Sequence, residues 1–520
     1  MTKYKKTIFV ISILFLFTSV WGQQKEKALS LEDCIISALQ NNLGIAVEVL
    51  NPELADTSVS LAKQKFLPQL GFSFFKRETN TASFSWLEAA EQVTTNLKDY
   101  AAQLRQEIPT GGNFSITLYS YKEDTNQKFQ TINPRYGSTL SFDFTQPLLR
   151  NFGFKMSRRE ILIAQNNMDI SETRFKGALL DAVYNVEEAY WNLVYSIENL
   201  KVKKQALELA RDLLAKNKRE VEVGTLAPIE ILSAEAEVAT REAEILQAEV
   251  LVKNNEDRLR TVINIAARGE DFEEIVPTDK PSFEKKEISL DEALFLGLEN
   301  RPDLHEIKLD LKNKDLDLSY AKNQLLPNLS LEASYWSPGT SGTKILYEDG
   351  NPLTENVIGV IPGIASDALK DAFDFKYRNW SVRLTFSVPV ETIFSRAQYA
   401  QARVSKDQAI LTLQNQEQQV FLEIRNAVRT VQTDYKRVQA YKVARDLAER
   451  KLEAEEKKLK VGLTTNYLVL QHQRDLADAR SAELRAIIDY NLSLALLDKA
   501  LGTTLKNKNI KFSEIRASST

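Results

Sequence analysis

The sequence predicts an α+β membrane chain made of two copies of one unit, each with short helices, then strands, then a very long helical hairpin. Three observations predict it. The first is a heptad seam, in which Val186, Leu193, Leu200, Leu207, Leu214 and Val221 recur every seven residues, interleaved by Val183, Tyr190 and Ile197. The second is its return 238 residues later, in Ile424, Val431, Val438, Leu452 and Leu459, with Val428 and Tyr435 interleaved and Arg445 interrupting. The third is a change of period from 3.6 to 2 after Pro68 and again after Pro327.

In both copies the interleaved column turns charged at the same place, Lys204, Arg211, Lys218 and then Lys442, Glu449, Glu456. Each helix is therefore expected to be well buried above and thinly buried, facing water, below. Both copies reach a Val-Gly turn, at Val223-Gly224 and Val461-Gly462. The first long helix is expected over 155–223; its 69 residues span roughly 100 Å at 1.5 Å per residue. Return helices follow Thr225-Leu226-Ala227-Pro228 and Leu463-Thr464-Thr465-Asn466, stretches short enough to be only tight reversals.

The chain has 520 residues, 27% charged, with a net charge of -4, which gives no balance for binding nucleic acid. Residues 1–22 read as a secretory signal. Lys3, Lys5 and Lys6 lead an apolar run to Val20, and Val20 and Gly22 flank Trp21 before a cleavage at Gln23. A membrane anchor is the alternative, although the run is short of the roughly 20 residues a spanning helix needs. Cys34 is the single cysteine, so no internal disulfide forms. No downstream run is long enough to span as a helix, so any membrane contact must be made by strands.

Ser30 with Asp33, and Ser289 with Glu292, open the first helix of each copy as capping-box pairs. The caps and the later prolines Pro68 and Pro327 are both 259 residues apart. Leu70, Phe72 and Phe74 alternate with small or polar residues, as do Leu140, Phe142 and Phe144, then Leu329, Leu331 and Tyr335, then Val382, Leu384, Phe386 and Val388. Such strands behind a signal peptide suit an outer-membrane barrel; taken alone they suit a soluble sandwich better. Phe114, Ile116 and Leu118 read as a further strand, with Ala102–Ile108 as its poor partner around the Pro109–Gly112 turn. The pair either widens a barrel or extends an external hairpin, and the external hairpin is the expectation. Residues 336–379 read as an external loop.

The resulting layout is a signal at 1–22, repeat 1 at 23–269, a linker at 270–287, repeat 2 at 288–505 and a tail at 506–520. Repeat 1 places helices at 29–67, strands at 69–146 and the long hairpin at 155–268 with its tip at 223–228. Repeat 2 places helices at 289–326, strands at 328–389 and the hairpin at 396–501 with its tip at 461–466.

This arrangement resembles the TolC-type outer-membrane efflux family over essentially the whole mature chain. The most specific residues are Leu67-Pro68-Gln69-Leu70, Leu326-Pro327-Asn328-Leu329, Gln146-Pro147-Leu148-Leu149 and the two Val-Gly turns. The resemblance implies a homotrimer: one β-barrel in outer-membrane lipid, continued by a periplasmic tunnel of long helices. It implies that the tips meet a periplasmic adaptor linked to an inner-membrane transporter. The matching tip residues are Val223, Gly224, Thr225 and Leu226, with Val461, Gly462, Leu463 and Thr464. It further implies acidic rings just past the tip glycine. Glu230 matches in copy one, as a possible constriction, whereas copy two has Leu468 and Gln471 there. By itself, a stave count of four per chain cannot close a barrel with a lumen, so oligomerisation is required.

Nothing points to an enzyme or a cofactor. His305 and His472 lack neighbours at metal-ligand spacing, and Glu187-Glu188 point apart on a helix. Two functions remain. One is a passive exit duct of a tripartite efflux or type I secretion system; the other is a secreted or anchored coiled-coil structural or adhesion protein with a soluble β domain.

Overall fold

The computed structural model describes residues 26–83, 85–88, 90–265, 273–354, 356–389 and 392–510. The signal segment at 1–22, part of the linker and most of the tail lie outside the described residues.

The first repeat starts with β1 (Glu26–Leu29), α1 (Leu31–Asn41) and α2 (Leu43–Lys63). Ser30 caps α1 as expected: its Oγ accepts from the Asp33 amide at 3.1 Å, and the Asp33 carboxylate accepts from the Ser30 amide at 3.1 Å. Four antiparallel strands follow: β2 (Gln69–Ala82), β3 (Gln92–Glu107), β4 (Asn113–Thr125) and β5 (Ile132–Pro147). A single turn, α3 (Phe154–Ser157), leads into the rod α4 (Arg159–Glu222), which returns as α5 (Ile229–Ile263). The short β6 (Glu274–Pro277) pairs in parallel with β1, tying the linker to the start of the chain.

The second repeat gives α6 (Leu290–Asn300), α7 (Pro302–Asn323), β7 (Asn328–Tyr347), β8 (Val357–Ile361), α8 (Ala365–Phe373), β9 (Asn379–Ser387), α9 (Ile393–Lys460), α10 (Asn466–Ala500) and a last turn α11 (Thr504–Asn507). Ser289 occupies the cap of α6 but makes no side-chain cap bond, so the second capping box is not formed.

One sheet runs β2-β3-β4-β5-β7-β9, with β8 laddered onto the far end of β7. Two expectations are corrected here. The β3–β4 pair is no separate hairpin: it lies within the sheet, between β2 and β5, so the main path of the sheet has six strands, not four. The polar residues that made 102–108 look poor, Gln103 and Arg105, alternate onto the polar face, in line with Thr117 and Ser115. Nor is 336–379 simply a loop, since β7 continues through Pro338 and Gly339. Gly339 is where α8 lies on the sheet; a Cβ there would sit 1.9 Å from the Ala368 carbonyl oxygen.

Register places the apolar residues in rows. Leu70, Leu104, Ile116, Phe142, Tyr335 and Trp380 face each other in sequence across the six strands. The opposite face carries Gln103, Thr117 and Ser141 at the matching height.

The helical core has three centres. Val183, Val186, Tyr190 and Leu193 of α4 meet α1, α2, α5 and Ile488 of α10. Val420, Ile424, Val428 and Val431 of α9 meet α6, α7 and α10. Near the tips Leu213, Ala234, Leu452, Val469, Leu470 and Leu476 bring the two hairpins together. In the lower half of α4 Ala206, Leu207, Ala210, Leu213 and Asn217 are buried, so the seam still holds at Leu207, while below it Leu214 and Val221 are half-buried. The seam read from the sequence drifts there by one position. A straight helix turns about 20° per heptad away from a 3.5-residue repeat, and α4 faces both α5 and α10.

Candidate docking tips and inter-hairpin contacts

Both long helices end by the same local device. Gly224 takes φ +80°; its amide donates to the Val221 carbonyl at 3.0 Å, and Thr225 donates to the Glu220 carbonyl at 2.9 Å. Gly462 takes φ +73°, its amide donating to the Leu459 carbonyl at 3.1 Å and Leu463 to the Lys458 carbonyl at 3.0 Å. These are Schellman closures, which need a residue that tolerates the left-handed region. Alanine at Gly224 meets no neighbour but must adopt that region, at about 1–2 kcal/mol. Gly224→Ala is therefore expected to leave global unfolding unchanged while speeding amide exchange of Thr225 and Leu226. Unchanged exchange there would contradict the closure.

The tips present apolar side chains to solvent: Val223 is 74% exposed, Val461 68% and Leu463 77%. Leu226 and Thr464 are half-buried, and Thr225 is exposed and donates through Oγ1 to the Glu220 carbonyl at 2.9 Å. Thr464 reaches back to the Glu455 carboxylate. Glu230 lies in the first turn of α5, half-buried, with its Oε2 enclosed and without a hydrogen-bond partner. Its carbonyl accepts from Asn217 of α4 at 3.4 Å. His472 lies beside Asp475, at 3.4 Å. Glu187 and Glu188 do point apart: Glu187 is buried against Lys508, and Glu188 pairs with Arg258.

The charged column of α4 is not simply a wet face. Lys204, Arg211 and Lys218 pair with Glu249, Glu242 and Glu235 of α5, at 3.6, 2.7 and 2.9 Å. Both partners step by seven, in opposite directions about Leu226–Ala227, so this ladder could have been read from the sequence. Each pair is half-exposed and contributes little individually.

A second cluster has no signal in the sequence. Glu237 of α5 lies between Arg241 of its own helix, at 2.9 Å, and Arg474 of α10. The Glu237 and Arg241 side chains are 9% and 3% exposed. It joins the first hairpin to the second just above the tips. No periodicity announces it, because the partners are 237 residues apart.

The family is decided by a profile match: residues 34–264 and 296–503 match the outer membrane efflux protein family. The chain belongs to that family. The two matched stretches fall within the two repeats. Among sequence relatives, nodulation protein T of Rhizobium leguminosarum bv. trifolii is 20% identical over 342 residues, 65% of each chain, so the match spans just under two thirds of that relative. Outer membrane protein TolC of Salmonella enteritidis is 24% identical, over 70% of this chain and 69% of that one. The Campylobacter jejuni CmeC outer membrane channel superposes at TM-score 0.60 with 17% identity, covering 100% of this chain and 98% of that one. VceC, an outer membrane protein of Vibrio cholerae, gives 0.61 with 16% identity, covering 91% and 96%. At these identities the structures show that the fold is shared: the α+β architecture of outer-membrane efflux family members.

Proposed function

We propose that three copies close into one tube, a barrel in the outer membrane continued by a periplasmic helical tunnel, which conducts substrate passively from the periplasm or an inner-membrane pump to the exterior. The observation that carries this is the incompleteness of a single chain. Among the described residues both lateral edges of the sheet, β2 and β9, are unpaired, and their apolar residues Phe72, Phe74, Trp380, Val382 and Phe386 are exposed. Unpaired backbone in hydrocarbon costs several kcal/mol per group, so the edges must pair or the sheet cannot sit in lipid. The helices are incomplete too. Leu43, Val47, Leu50, Leu54 and Leu61 form an exposed heptad stripe on α2. Between Val438 and Leu452, no residue of α9 is fully buried.

Purified from cells, the protein is expected to fractionate with outer membranes, need detergent for extraction and run as a heat-modifiable trimer. A water-soluble monomer after signal removal would overturn the duct and favour the adhesion protein.

The partners of this tube are a periplasmic adaptor and, through it, an inner-membrane transporter. The docking surface is Val223, Gly224, Thr225 and Leu226 with Val461, Gly462, Leu463 and Thr464. Exposed apolar residues on a rigid turn suit a partner's apolar hairpin. Leu463→Glu is expected to abolish export while the trimer stays intact; unchanged export would remove the tip from the docking surface. Glu230, repeated three times around the axis, forms a constriction that favours cations. Glu230→Gln is expected to weaken divalent-cation block and change single-channel conductance, and no change in either would remove the ring.

A further inference from the structure

We propose that the membrane part of this tube is an eighteen-stranded barrel, in which β3 and β4 are full staves and β9 of each copy ladders onto β2 of the next. This rests on the three-fold tube proposed above and fixes the size class of what the exit can pass.

The inserted hairpin is built into the wall. It pairs with β2 over fourteen consecutive residues, from Gln69↔Arg105 to Ala82↔Gln92. It pairs with β5 over eleven, from Asn113↔Thr145 to Glu123↔Arg135. Its turn is locked to the base of the sheet, where strands pass into helices. Thr110 Oγ1 donates to Gln146 Oε1 at 2.7 Å, and the Gly153 amide donates to the Thr110 carbonyl at 2.9 Å. Gln106 Nε2 donates to the Phe66 carbonyl at 3.3 Å. The turn is packed so closely that a Cβ on Gly111 would lie 2.3 Å from the Asn151 carbonyl oxygen. A hairpin projecting above the membrane would have its turn far from this junction.

The faces agree. Tyr100, Ala102 and Leu104 of β3, with Ile116 and Leu118 of β4, continue the apolar rows between Leu70, Phe72, Phe74 and Leu140, Phe142. Asp99, Gln103, Arg105, Ser115 and Thr117 occupy the other face, with the Tyr119 hydroxyl donating to Asp99 at 3.1 Å. Lipid-out, water-in alternation is what a stave requires, whereas a hairpin in water on both sides has no use for it.

Closure also works by direction. The six strands are antiparallel throughout, so β2 and β9 run in opposite senses, and the joint between copies is antiparallel like every other. The apolar residues of both edges lie on the same face, so the joint continues the apolar band. With strands about 4.8 Å apart and tilted about 40°, eighteen staves enclose a backbone cylinder about 36 Å across, against about 24 Å for twelve. The membrane section is then about half as wide again as four staves per chain would give, and selection by size falls to the periplasmic end.

The test uses the full chain in proteoliposomes with single added cysteines. The native Cys34 is fully buried and burial pushes its thiol up to about 12, so it stays silent. A membrane-impermeant maleimide is expected to label Gln103→Cys and Thr117→Cys at least about tenfold faster than Tyr100→Cys and Leu118→Cys, which face hydrocarbon. A panel of paired cysteines on β2 and β9 is expected to give cross-linked dimers and trimers on denaturing gels. If the trimer is intact but both faces label equally, or no β2–β9 pair cross-links, the eighteen-stranded barrel is overturned and the tube survives. If no membrane trimer forms, the tube itself fails.

Discussion

Replacing Glu237 by alanine is expected to destabilise the lower helical hairpins by about 3–5 kcal/mol, because it leaves Arg241 buried without a counter-charge. It also cuts the carboxylate link from α5 to Arg474 of α10. The cost should be local to the tip-proximal half, where the shared apolar core is small: Leu213, Ala234, Leu452, Val469, Leu470 and Leu476. Hydrogen exchange of α5 and α10 would show it as faster opening, and single-channel recordings as a change in conductance. Arg241→Met together with Glu237→Met removes both buried charges and is expected to recover most of the loss, since replacing a buried pair by apolar groups is often neutral. Lys218→Ala is the contrast. Its pair with Glu235 is half-exposed and contributes no more than about 1 kcal/mol. Equal effects of Glu237→Ala and Lys218→Ala would refute the distinction.

Leu193→Ala carries the other large effect, about 2–5 kcal/mol, through lost transfer energy and the cavity left behind. Leu193 is fully buried, in a cluster with Val186, Tyr190 and Ile488 that also receives α1 and α2. The Tyr190 hydroxyl beside it donates to Asp279 at 2.8 Å, so the cluster also fixes the linker. The same change at Leu214, three seam positions lower down and half-buried, is expected to cost clearly less. The midpoint of thermal unfolding in detergent measures both variants. A Leu214→Ala loss as large as that of Leu193→Ala would mean that the lower half of α4 is packed as tightly as the upper.

Much of the architecture was legible because it is written locally. The rod expected over 155–223 is α4 at Arg159–Glu222, and the one over 396–461 is α9 at Ile393–Lys460. Helix stops are announced by Gly224 and Gly462, whose positive φ closes the last turn. The strands at Leu70–Phe74, Leu140–Phe144 and Val382–Phe386 were visible because apolar residues alternate strictly. β3 was harder, since Tyr100-Ala101-Ala102 blurs the alternation, and Gly339 in β7 imitated a loop while making room for α8.

The candidate site divides in the same way. The reversals at Gly224 and Gly462 are legible, since a Val-Gly turn needs only its neighbours. The ladder Lys204–Glu249, Arg211–Glu242 and Lys218–Glu235 was present in the sequence as two opposed heptads and was read as a solvated face. The Glu237–Arg474 contact was not there to be read, because nothing in either helix specifies which face of the other hairpin it meets.

From its sequence alone this chain declares a duplicated unit, the length of its rods, the places where they reverse and the family it resembles. Periodicity and turn chemistry act over a few residues, so one chain records them directly. Only the tertiary structure decides that β3 and β4 lie within the sheet between β2 and β5, that the buried column of α4 drifts to Asn217, and that Glu237 faces Arg474. Those outcomes depend on how elements hundreds of residues apart align, and alignment is set by packing the whole chain at once.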